Sequence, residues 1–153
     1  MQTDGSDAAQ ALSRSLRLPG LSPAELELRV VELLPEGPGQ GDLALALRVT
    51  GTNFHFREDH LWVGREAVAA FLAEFGALAH ARSGRASLRF MSPHVLEFFA
   101  VGGTADLALH GRFTSSTRVG AVTLPTTVDF HISLGGEFVE RAWAEFRRLL
   151  GST

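Results

Sequence analysis

Apolar positions along this chain change their period in an order that spells out its elements. Leu43, Leu45, Leu47 and Val49 alternate with Ala44, Ala46 and Arg48, the two-residue repeat of a half-buried strand. Phe54 and Phe56 continue that period after a turn at Gly51, and Leu61-Trp62-Val63 forms a short further strand. From Arg65 the repeat lengthens. Val68, Phe71, Leu72, Phe75, Leu78 and Ala79 make one helical stripe, with Glu66, Glu74 and Arg82 off it. Gly76 weakens this helix by about 1 kcal/mol relative to Ala, which the stripe outweighs, and Ser83-Gly84 ends it. Extended segments follow at about 86–91, 95–101, 104–113 and 126–134, and Gly102-Gly103 suits a hairpin turn between the middle two. After Gly135-Gly136, Val139, Ala142, Trp143, Phe146, Leu149 and Leu150 form a second helical stripe. Glu137 and Glu140 at its start and Arg147-Arg148 at its end match the helix dipole.

The first third is less decided. Residues 1–20 are small and polar, with Pro19-Gly20 closing any helix that Leu12 and Leu16 could begin, and they read as a flexible tail. Ser22-Pro23-Ala24-Glu25 has the form of a capping box, yet Leu26, Leu28 and Val30 alternate with charged residues, which favours a strand over 26–33. Pro35 to Asp42 is a loop on composition. The expectation is one α+β domain over 21–153: an antiparallel sheet of about five to seven strands packed by two amphipathic helices.

Composition narrows the classes. A hydrophobic share of 45% with 20% charged residues is that of a folded domain. Net charge of −3 argues against nucleic acid, which needs clustered cations. Every basic charge is Arg, and there is no Cys, so disulfides, thiolate metal sites and a cysteine nucleophile are excluded. The first residues lack a basic, apolar leader and no apolar run reaches bilayer length, so a cytoplasmic location without membrane contact is expected.

Candidate chemistry is sparse. His110 and Arg112 on one strand, and Asp129 and His131 on another, fall on the polar sheet face and would cluster if the strands are neighbours. A proton-transfer or anion site is one reading; a solvated face with cross-strand charge pairs is the favoured one. His55 and His60 flank Arg57, Glu58 and Asp59, a run that a metal could use but that loop composition explains as well. No nucleophile elbow surrounds Ser92, and the Gly pairs fit no phosphate-binding pattern, so neither a catalytic group nor a cofactor is expected. Val95–Val101 is apolar on both faces except at Glu97, either as a covered central strand or with Phe99 in an exposed patch.

The Phe90-Met91-Ser92-Pro93-His94-Val95-Leu96-Glu97-Phe98 stretch, following a helix rich in Phe and Leu, resembles the WapI-type immunity proteins, small bacterial proteins that neutralise a cognate polymorphic toxin. The similarity runs from about Leu26 to Leu150 and takes in the early strand, the Pro/Gly loop and the closing helix. The longer stretch between Phe113 and Thr126 departs from it. The resemblance implies a non-enzymatic interaction protein with a toxin as partner. Occlusion through an acidic patch drawn from Glu58, Asp59, Glu97 and Glu145 would be its mechanism. A small-molecule or enzymatic domain on the His110 face, and a homo-oligomer built on a sheet edge, are the alternatives.

Overall fold

The computed structural model describes residues 14–151. It is α+β, with two antiparallel four-stranded sheets and two helices. Sheet A is a meander of β1 (Ser15–Arg17), β2 (Glu25–Leu33), β3 (Leu43–Thr50) and β4 (His55–Val63). Helix α1 (Arg65–Ala81) leads to sheet B: β5 (Arg85–Arg89), β6 (Val95–Ala100), β7 (Leu107–Val119) and β8 (Val122–Leu134). A 3-10 turn over Gly136–Phe138 opens α2 (Val139–Leu150). Among the described residues no helix is long and apolar enough to cross a membrane.

The single sheet expected from the sequence is divided. Seven of the strands are those its periodicity marks, but α1 interrupts the ladder, and among the described residues β4 joins the chain just past β5 by a backbone bond from Met91 N–H to Trp62 C=O at 2.8 Å. Periodicity reports which face of a strand is buried; it does not report which strand lies beside it. The eighth strand, β1, falls inside the expected tail. Its three residues pair with Glu27–Arg29, and Leu16 and Leu18 are buried. That tail is therefore ordered from Ser15 onward, and residues 1–13 lie outside the described part. Ser22–Glu25 caps no helix: the alternation after it wins, and Leu26 and Leu28 are buried in β2.

One apolar core joins both sheets and both helices. Phe71 and Phe75 of α1 pack against Phe98 of β6 and Phe146 of α2, with ring centroids 5.0–6.2 Å apart. Phe56 of β4 reaches Phe113 of β7 at 4.7 Å and so ties sheet A to sheet B. Side chains and backbone fix the helix ends. Asp42 Oδ1 accepts the Arg65 N–H at 2.9 Å, capping α1 from 23 residues away. At the other end Arg82 adopts the left-handed conformation (φ 53). Its guanidinium donates to the carbonyls of Ala79, Ala105 and Gly136 at 2.8–2.9 Å, binding the end of α1 to the β6–β7 loop and the entry of α2.

Gly76 has a role beyond its low helix propensity. A Cβ there would stand 2.8 Å from Trp143 Cζ2, so the absent side chain admits the indole of α2. Propensity alone says that Gly76→Ala stabilises by about 1 kcal/mol; overpacking says that it destabilises by about 1–3 kcal/mol. The expected outcome is a net loss in denaturant titration, reversed to a gain when Trp143→Ala is also present. A stabilised single variant would show that the indole yields without cost.

Candidate functional site

The side facing away from the core in sheet B carries the polar candidates. Alternation along β7 and β8 buries Leu107, Leu109, Phe113, Phe130, Ile132 and Leu134, so the residues between them face outward. The β7–β8 register then sets His110 directly opposite His131 and Arg112 opposite Asp129. Glu97 of β6 pairs with His110, and Ser87 of β5 with Glu97, giving one polar row across all four strands.

The four residues marked in the sequence do converge. His110 Nε2–H donates to Asp129 Oδ1 at 2.8 Å, and Arg112 Nε approaches the same oxygen at 3.3 Å. The His110 and His131 rings stack with centroids 4.4 Å apart and planes within 3° of parallel. The hydrogen bond from His110 holds the Asp129 carboxyl below the usual carboxylate range, and the Arg112 charge lowers it further against a partial loss of hydration. Glu97 is engaged separately, by Ser87 Oγ and by Arg85 Nη1, both at 3.1 Å. Phe99 lies half-buried one row over, with the Arg85 guanidinium 6.0 Å from its ring centroid.

This cluster stands on an open face. Asp129 keeps 41% and Arg112 59% of their side-chain surface exposed, whereas general acid–base catalysis works best where water is excluded. Parallel stacking also places the two imidazole lone-pair planes side by side, so one ion cannot lie in both without a ring rotation. Among the described residues no group of three or more His, Asp or Glu is arranged to hold a metal. A groove of about 800 Å³ runs between β1 and α2, lined by residues including Arg17, Glu27, Arg141 and Glu145, and none of the cluster residues lines it.

The acidic patch does not assemble. Glu58 pairs with Leu47 and faces the core side of sheet A, whereas Asp59 bonds Arg57 at 2.6 Å on the outer side. Neighbours along a strand face opposite ways, so alternation itself separates them, and the β4 bulge opposite Ala46 comes only after Glu58. Glu97 belongs to sheet B, and Glu145 lies on α2 bonded to Arg148 at 2.8 Å. Each carboxylate except Glu58 is matched by an arginine. His55 and His60 also part company: His55 meets Thr50 at 3.4 Å and His60 meets Glu32 at 3.4 Å.

Two participants were not singled out in the sequence. Arg85 and Ser87 occupy outward positions of β5, and the same period-two argument that found His110 would have found them. His94 is structural: its Nδ1 accepts the Thr114 N–H at 3.0 Å while its ring stacks on Phe113. Comparison of the chain with family models, curated proteins and solved structures returns no match.

The lowered Asp129 pKa sets a direction for acid sensitivity. Because the folded-state value lies below the unfolded one of about 3.9, ionised Asp129 stabilises the fold above that value, and the gain disappears as pH falls through the folded value. Asp129→Asn should therefore unfold more easily than wild type at neutral pH, with the difference closing below about pH 4. Denaturant midpoints measured across the acid range would check this. A gap that stays constant down to the lowest pH would mean that the charge contributes nothing.

Proposed function

We propose that the protein is a non-enzymatic interaction protein of the immunity type, acting in the cytoplasm to neutralise a cognate bacterial toxin by direct contact through the outer face of sheet B. The observation that carries this reading is a polar network already bonded to itself on a rigid, open sheet. His110, Asp129 and Arg112 hold one another in place, as do Glu97, Ser87 and Arg85. Such a surface meets a partner with little side-chain ordering left to do, which favours tight binding. Phe99, half-buried beside Arg85, supplies an apolar anchor of the kind that dominates interface energies. The mixed charge replaces the acidic patch as the recognition feature, since opposite charges arranged in a fixed pattern reject mismatched partners. The resemblance to WapI-type immunity proteins supports the choice of a toxin as partner.

A second reading is acid–base chemistry at His110, favoured by its 2.8 Å bond to Asp129. It would need a substrate to bring its own enclosure to this open face. The two readings separate in one experiment, in which the gene is co-expressed with a toxin encoded beside it, with cell survival and co-purification as readouts. Wild type should protect. Phe99→Ala with Arg112→Ala should weaken binding at least tenfold, as expected for loss of an anchor, with unchanged circular dichroism. Equal protection by that variant would remove this face from the interface. A requirement for His110 that survives loss of Phe99 and Arg112 would favour chemistry instead.

A further inference from the structure

The two edges of sheet B end differently. Along β5 and just past its end, two N–H groups that point away from the sheet are taken up: Ser87 N–H by Glu74 Oε2 at 2.9 Å, and Met91 N–H by the Trp62 carbonyl at 2.8 Å. On β8 they are not. Residues of an antiparallel strand turn their peptide groups to alternate sides, and Thr114 N–H points away from β8, toward His94. Odd-numbered residues of β7 therefore bond even-numbered residues of β8, and the odd-numbered residues of β8 face outward. Among the described residues the backbone groups of Thr127, Asp129, His131 and Ser133 meet no partner on that side. Pro125, which has no N–H to offer, ends this free edge at one end, and the turn at Gly135 ends it at the other.

We propose that a second copy of this chain completes the edge, its β8 pairing antiparallel with this one about a twofold axis at Phe130, so that two sheets B become one continuous sheet of eight strands. Charge selects that register. Each Asp129 then stands opposite the His131 of the second copy, and each Thr127 opposite Ser133. A twofold at Asp129 would set carboxylate against carboxylate, one at His131 imidazole against imidazole, and one at Val128 would place Pro125 where a ladder hydrogen bond is required. Both bonds that Asp129 makes within the chain fall on Oδ1, which leaves Oδ2 for the second copy.

The far end of the β7–β8 hairpin fits the same arrangement. Beyond Phe113 and Val128 it is a two-stranded ribbon, exposed from Ser115 to Thr127. Its large exposed apolar side chains, Val119, Val122 and Leu124, all lie on the side continuous with the buried face of the sheet. In the twofold pairing the ribbon runs past Leu134 of the second copy, on the same side as that copy's α2. Three apolar residues that stand in water in the single chain thereby gain a cover.

Sedimentation velocity over a concentration series tests the pairing. Wild type should reach twice the 16.5 kDa chain mass. His131→Asp, which sets Asp against Asp129 twice, should raise the dissociation constant about tenfold or more, and Asp129→His should do likewise. The double exchange Asp129→His with His131→Asp should restore the dimer, because the symmetric register again pairs opposite charges. His131 is exposed, so these variants should keep the wild-type circular dichroism spectrum. A wild type that stays monomeric throughout, or single variants that dimerise as wild type does, would overturn the proposal. A double exchange that fails to recover would overturn this register.

Discussion

Everything on the outer face of sheet B depends on one register, that between β7 and β8. Leu107 opposite Leu134 and Val119 opposite Val122 bound an unbroken ladder without a bulge. At its tip Gly120 takes φ +64, a conformation that a two-residue hairpin turn needs at its first position and that glycine adopts without strain. At its base Leu107, Leu109, Ile132 and Leu134 are all buried. A slip of β8 by one residue would turn Ile132 and Leu134 to water and bring Asp129 and His131 inward. The apolar core therefore fixes the polar cluster: the outer residues touch one another because the inner ones cannot move.

Rigidity behind the sheet has a similarly local origin. Phe98 of β6 is enclosed by Phe71, Phe75 and Phe146, so α1 and α2 bear on the sheet through edge-to-face and tilted ring contacts. Arg82 closes this assembly at one end by bonding carbonyls from three separate segments. A guanidinium suits this use because its planar fork of donors serves several acceptors at once, which a lysine could not reproduce. The glycine at 136 is required beside it: a Cβ there would stand 2.8 Å from the Ala105 carbonyl oxygen that Arg82 holds. Backbone approach and side-chain clamp are thus one feature.

How much of this could be read from the sequence follows the physics. Strands and helices that bury one face announce themselves by period, and β2, β3, β6, α1 and α2 lie close to where Leu, Val and Phe spacing puts them. Features that depend on a distant partner do not. The division into two sheets, the pairing of β1 with β2, and the capping of α1 by Asp42 all rest on contacts between separated segments. The stretch from Thr114 to Thr126 reads as a break because neither face is buried, yet hydrogen bonding with its own partner strand keeps it extended. Alternation did locate His110, Arg112, Asp129 and His131 on one face, and only the register could decide whether they meet. The same logic, applied to Glu58 and Asp59, sets them on opposite faces as neighbours along one strand.

One remaining contact bears on the order of assembly. Arg148 Nη2 donates to the Ser15 carbonyl at 2.6 Å, joining positions 133 residues apart. Closing so long a loop costs entropy that grows only logarithmically with length, so the bond is tolerable at equilibrium. Its weight falls on kinetics, since contacts distant in sequence slow the search for the native state. During synthesis β1 leaves the ribosome first, whereas its neighbour α2 leaves only after both sheets have been made. Until then Leu16 has β2 to pair with but no helix to cover it. The earliest strand of the described fold thus waits for the latest helix, and an arrested or truncated chain would carry that exposed apolar edge into the cell as a target for chaperones.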